Sequence, residues 1–122
     1  MPKQYGYELI MDLHECPTTI MTKGGVENYC KRVCELIDMN PEDFHIWASN
    51  PEDYDSDSDH LHGVSAVQFI TTSSLVIHTL PKMKRIYINI FSCKRFEAKD
   101  VSDFTKDYFA GQIVSITMLM RH

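Results

Sequence analysis

Apolar residues recur along the chain first with a period of two and then with a period of three to four. Residues 5–13 carry Leu9, Ile10, Met11 and Leu13 in an alternating frame, which predicts a first strand ending near the Cys16-Pro17 break. After Gly24 and Gly25 the spacing changes. Val26, Tyr29, Val33 and Ile37 fall three and four apart, one buried stripe of a helix about four turns long, while Glu27, Lys31, Arg32 and Glu35 take the wet side. Asn40-Pro41 is its expected stop, because proline disfavours helix in the residue before it. Residues 44–48 read as a short second strand holding the only tryptophan, Trp47. Three further strands follow at 64–70, 75–80 and 85–91, the last alternating Ile86, Ile88 and Ile90 against Tyr87, Asn89 and Phe91. Their short links predict antiparallel hairpins. A second helix is predicted over 100–110, with Val101, Phe104, Tyr108 and Phe109 inward and Gly111 ending it in the left-handed conformation, before a last strand at 112–120.

This order predicts an α+β fold: a two-layer sandwich, with an antiparallel sheet and two helices packed on one face. At 122 residues, the whole of 1–122 is expected to be one domain with a core that needs no disulfides. Residues 50–62 break the pattern with five acids and no lysine or arginine, and are expected to form an exposed loop. The acids at 53, 55, 57 and 59 lack the glycine and glutamate of a calcium loop. His60 and His62 read as solvated imidazoles, so no metal is expected.

Charge narrows the class further. A net charge of -5 and a pI near 5.6 argue against a nucleic-acid partner, which needs clustered Lys and Arg. No apolar run approaches bilayer length and the polar start is unlike a signal peptide, so no membrane association is expected and the location reads as cytoplasmic. Cys16, Cys30, Cys34 and Cys93 lack zinc-type spacing, and reduced thiols are the simplest account. Cys16 reads as a strand-end packing residue, Cys30 and Cys34 as packing or surface thiols of the first helix.

The chemistry centres on four successive hydroxyl residues, Thr71-Thr72-Ser73-Ser74, with His78 on the strand that follows and Cys93 at the end of the next. If those runs are neighbouring strands, an alcohol, an imidazole and a thiol come within reach of one another. Taken alone, such a cluster is a turn whose hydroxyls bond local backbone, and the histidine and cysteine are packing residues. The ordered set says more. Gly63-Val64-Ser65, then Ser73, Ile77-His78-Thr79 and Cys93 resemble the small bacterial and archaeal pyruvoyl-dependent S-adenosylmethionine decarboxylases, and residues 6–13 with Cys16 resemble that family's first strand.

Loss of carbon dioxide from an α-amino acid needs a sink for the electrons left on Cα, and a carbonyl that forms a Schiff base with the amine is one. The resemblance implies that the chain makes this carbonyl itself, by self-cleavage between Thr72 and Ser73 that leaves a pyruvoyl group derived from Ser73. It further implies that Ser65 hydrogen-bonds the cleavage intermediate, that His78 removes the Ser73 Cα proton, and that Cys93 returns a proton to the substrate. The product would be the aminopropyl donor of spermidine synthesis, and a homodimer is implied as well.

Departures open alternatives. Thr72-Ser73-Ser74 stands where the bacterial pattern is Glu-Ser-His, which should slow cleavage without forbidding it, since the acyl shift uses the backbone carbonyl. His78-Thr79-Leu80-Pro81-Lys82 stands where the family has His-Thr-Trp-Pro-Glu, removing a stacking face and a carboxylate. Phe44 or Trp47 are candidate replacements, and with Glu8 and Leu75 they complete the expected substrate-binding set. One alternative keeps the cofactor but takes L-arginine or L-ornithine, with Glu8 or the acids of 52–59 meeting the substrate cation. Another is a non-cleaving homologue that regulates an active partner.

Overall fold

The computed structural model describes residues 3–50 and 59–122, so most of the acidic stretch expected to loop out lies outside the described residues. Six strands form one antiparallel sheet: β1 (Gly6–His14), β2 (Pro41–Ala48), β3 (Val64–Ile70), β4 (Ser73–Leu80), β5 (Arg85–Ser92) and β6 (Gln112–Arg121), in the order β2-β3-β4-β5-β1-β6. Two helices, α1 (Lys23–Leu36) and α2 (Ala98–Phe109), pack on one face. The expected two-layer α+β sandwich is the observed one.

Strict alternation creates the layers. Leu9, Met11 and Leu13 of β1, Leu75 and Ile77 of β4, and Ile86, Ile88 and Ile90 of β5 are buried beneath the helices. Each contributes roughly 1.5–3 kcal/mol by leaving water. The α1 stripe of Val26, Tyr29 and Val33 closes this core together with Cys30 and Cys34. Tyr29 stacks on Phe104, tilts against Phe109, and hydrogen-bonds the buried Thr105 hydroxyl at 2.7 Å, which ties α1 to α2. Neither α1 nor α2 covers the other face, where among the described residues a short 3-10 helix, Asp59–Leu61, borders one end. Ser65, Val67 and Phe69 of β3, Ser74, Val76 and His78 of β4, and Tyr87, Asn89 and Phe91 of β5 lie there, half-buried or exposed.

Several boundaries differ from expectation, each for a local reason. Helix α1 ends before Asn40-Pro41, because Asp38 adopts φ 55° and the amides of Asp38 and Met39 turn back to Glu35 and Cys34. At the end of α2 the left-handed residue is Ala110 (φ 52°), not Gly111. Gly111 serves close approach instead, since a Cβ there would stand 2.4 Å from Cys16 Sγ. Strand β2 begins at Pro41, with an irregular register between Pro41 and Phe44 that its exposed acids conceal in the sequence. Strand β4 begins at Ser73, so only Thr71 and Thr72 form the turn.

Candidate active site

The antiparallel register fixes one row across the open face. Trp47 faces Ser65, Ser65 faces His78, His78 faces Tyr87, and Tyr87 faces Asp12. Neighbours in such a row stand about 5 Å apart, near enough for side chains to meet. Ser65 Oγ and His78 Nδ1 do so at 2.7 Å, which orients the imidazole and leaves Nε2 as its second working nitrogen. Beside the pair lies a cavity of about 460 Å³, lined by Trp47, His62, Ser65, His78, Leu80 and Tyr87 among others. Trp47 also borders a second hollow of about 250 Å³, and at 60% exposure its indole is available to a ligand. His62, expected to be solvated, is buried in the cavity wall, whereas His60 is exposed.

A second cluster sits at the tip of the β3–β4 hairpin. With only two turn residues between Ile70 and Ser73, Thr72 is driven to φ 53°, costly for a β-branched side chain. Ser73, buried at 7% exposure, accepts a hydrogen bond from the Cys93 amide at 2.9 Å. The Thr72 hydroxyl stands 3.1 Å from Cys93 Sγ and 2.8 Å from the Thr71 carbonyl, so its one proton serves either. Hydrogen bonding by the Ser73 hydroxyl, and then by Thr72, holds the Cys93 thiol below its ordinary pKa. The other thiols go the opposite way: burial pushes Cys16 up to about 11 and Cys30 up to about 12. All four cysteines are free, and only Cys93 is not buried. Gly6 admits this arrangement, because a Cβ there would stand 2.0 Å from the Ser92 carbonyl oxygen and 2.9 Å from Cys93 Cα.

Ser73, Thr72 and Cys93 therefore converge, and so do Ser65, His78 and Trp47. The two groups do not meet within one chain. Ser73 shares the helix-covered face with Leu75 and Ile77, whereas His78 is five residues on and on the open face. At about 3.3 Å per residue the two stand about 16 Å apart along β4. The expectation of an alcohol, an imidazole and a thiol within mutual reach is thus not met inside a single copy.

The remaining candidates divide by face. Leu75 is fully buried under the helices. Phe44 faces Gln68 on that same side, with the Lys31 ammonium 5.3 Å from its ring centroid, so of the two aromatic candidates only Trp47 borders the cavity. Glu8 lies on the open face but is engaged, accepting from Asn89 at 2.6 Å and pairing with Arg121. Lys82 forms a 3.9 Å ion pair with Asp59. Tyr87 is the cavity residue that sequence reasoning passed over. Its alternation with Ile86 and Ile88 was the available signal.

Comparison with known proteins agrees with this architecture. The S-adenosylmethionine decarboxylase family profile matches residues 7–122. Among solved structures, the adenosylmethionine decarboxylase from Aquifex aeolicus vf5 is similar in fold, with a TM-score of 0.80 at 15% identity over 98% of this chain and 92% of that one. No curated protein matches the sequence. The match places the chain in a class of carboxy-lyases. It belongs to the S-adenosylmethionine decarboxylase family, whose members serve polyamine biosynthesis and typically depend on a pyruvoyl group.

Proposed function

We propose that the chain is a self-processing, pyruvoyl-dependent decarboxylase that converts S-adenosylmethionine to its decarboxylated form, with Ser73 as the cofactor precursor. The observation that carries this reading is the hairpin tip, where Ser73 follows a strained Thr72 and stands hydrogen-bonded against Cys93. The local structure suits the group: a carbonyl formed at residue 73 would begin β4, stay paired to β3, and face a thiol whose pKa is already lowered.

Cleavage starts with Ser73 Oγ attacking the Thr72 carbonyl carbon. The C–N bond breaks, the amine stays on residue 73, and an ester joins residues 72 and 73. Removal of the Ser73 Cα proton then expels the Thr72 carboxylate from Cβ. Tautomerisation to the imine and attack by water release ammonia and leave the pyruvoyl group on the chain of residues 73–122. When present, that group withdraws the electrons freed as carbon dioxide leaves. Cys93 would hold and return the proton at substrate Cα, work suited to a thiol that exchanges protons readily.

With His78 as the base for Cα proton removal, the histidine that acts belongs to a second copy. His78 of the same copy lies on the opposite face, about 16 Å along the strand at the usual rise. A homodimer in which the Ser65–His78 pair of one copy reaches the Thr72–Ser73 turn of the other supplies both the base and a hydrogen-bond donor for the oxyanion. The open face is the surface available for that meeting, and it brings Trp47 and the cavity along with His78.

Engagement of Glu8 by Asn89 and Arg121 weighs against its use for the cation of L-arginine or L-ornithine. The Asp59 pair likewise draws Lys82 charge away from a sulfonium substrate. The intact mass of the purified protein tests self-processing, since the reading expects two chains meeting at Thr72/Ser73 where a non-cleaving regulator gives one. Carbon dioxide release from S-adenosylmethionine, arginine and ornithine on the same sample tests the substrate. Release from either basic amino acid and not from S-adenosylmethionine overturns the assignment.

A further inference from the structure

The turn that would be cut is not left to itself. Thr71 is tied to β2 on both sides of Pro41: its amide donates to the Asn40 carbonyl at 3.4 Å, and its hydroxyl donates to Glu42 Oε2 at 2.6 Å. Glu42 sits where the β2–β3 register shifts, and that irregular segment has its own support. The fully buried Gln68 amide donates to the carbonyls of Glu42, at 3.0 Å, and of Asp43 and Phe69, while its oxygen accepts from Lys31 Nζ at 2.7 Å. Its two N–H protons serve Phe69 at 2.8 Å and Glu42 at 3.0 Å, with Asp43 a longer shared contact at 3.4 Å, and a buried amide bonded to a distorted strand in this way holds the distortion in place. The chain of contacts therefore runs from helix α1, through Gln68, to the backbone that aims the Glu42 carboxylate at Thr71.

We propose that Glu42 is a positioning residue for self-cleavage: by fixing Thr71, it keeps the backbone distortion of the two-residue turn at Thr72, the residue whose carbonyl is attacked. This rests on the reading above that Ser73 cuts the chain. Residue 70 is held by strand pairing, residue 73 by pairing and by the Cys93 amide, and residue 71 by Glu42 and Asn40. Thr72 is the remaining residue able to absorb the closure, and it does so at φ 53°. Letting Thr71 rotate would spread the distortion over two residues and change where the Thr72 carbonyl stands relative to Ser73 Oγ. Misplacement of a reacting group by an ångström can cost on the order of a hundredfold.

The experiment follows self-cleavage of the freshly synthesised full-length chain by intact mass, for the parent, Glu42→Ala, Glu42→Gln and Thr71→Val, with hydroxylamine added to a parallel set to cut any ester. Glu42→Ala and Thr71→Val should each slow cleavage about tenfold or more and lower the hydroxylamine-sensitive fraction. The double variant should be no slower than either single one, because both remove the same contact. Glu42→Gln, which keeps an acceptor oxygen, should stay near the parental rate. Thermal midpoints should stay together, since Glu42 and Thr71 are exposed. Cutting of Glu42→Ala at the parental rate overturns the positioning role while leaving Ser73 self-cleavage standing. A parent chain that never cuts overturns both.

Discussion

The two faces of the sheet are built from the same strands in alternation, yet they are committed to different work. On the helix-covered face, Leu75, Ile77, Ile86 and Ile88 are interchangeable in kind, and their value is apolar area removed from water. On the open face, Trp47, Ser65, His78 and Tyr87 occupy one cross-strand row in which each differs from its neighbour in chemistry. The covered face is closed by two helices. The open one is left for a ligand and, in the reading proposed here, for a second copy. In the proposed reading, stability and function are separated by one residue step along β4, from Ile77 to His78.

The largest effect should come from splitting the two clusters between subunits. Chains carrying His78→Ala alone or Ser73→Ala alone should stay whole, with cleavage reduced by orders of magnitude. Co-expressed, they should yield cut product from the His78→Ala chain only, because its partner keeps an intact histidine. Mass spectrometry reads this directly, and the absence of any cut His78→Ala chain from the mixture would sink the shared site. Next in size is the step along β4. Ile77→Ala should lose about 2–5 kcal/mol in urea unfolding through its cavity, whereas His78→Ala should change stability by less than about 1 kcal/mol.

A smaller contrast separates the two aromatic candidates. Trp47→Ala should raise KM about tenfold with kcat nearly unchanged, as expected for loss of a stacking surface. Phe44→Ala should lower the thermal midpoint and leave KM alone, and the reverse pattern would move the substrate to the covered side. The smallest effect concerns Cys93. Because hydrogen bonding lowers its pKa, thiolate forms at a lower pH than for an ordinary cysteine, and iodoacetamide should label it first. Thr72→Val removes one of those bonds, so the pKa rises and the labelling profile moves to higher pH. Cys16 and Cys30, pushed the other way by burial, should stay unlabelled in the native protein.

Much of the fold was legible because alternation and helical spacing are local. Strand β3 was placed to the residue, and the α1 stripe is the buried one. What escaped was set by contacts from elsewhere. The β2 start carries Glu42 and Asp43, whose charge argues against a strand until Gln68 is seen beneath their carbonyls. The helix ends were decided by Asp38 and Ala110 in left-handed conformations that no side-chain preference announces. In the site, the pairing of Ser65 with His78 depends on the two-residue Thr71–Thr72 turn, whereas a strand starting at 75 sets Ser65 against Leu80. With Ser73 inside β4, an odd number of steps then puts it and His78 on opposite faces. Family resemblance supplied the identities of Ser65, Ser73, His78 and Cys93. It did not supply the division between faces, which only the register makes plain.

The strand order carries one more consequence. A cut after Thr72 would assign β1, β2 and β3 to the first fragment and β4, β5 and β6 to the second, and these alternate across the sheet as β2-β3, β4-β5, β1, β6. Neither fragment could slide away without tearing the seams at β3/β4, β5/β1 and β1/β6 together. The severed molecule would be held like interlaced fingers, kinetically trapped as one body. Once unravelled, it would have to find its other half by diffusion, so its recovery would depend on concentration where that of the unbroken precursor would not.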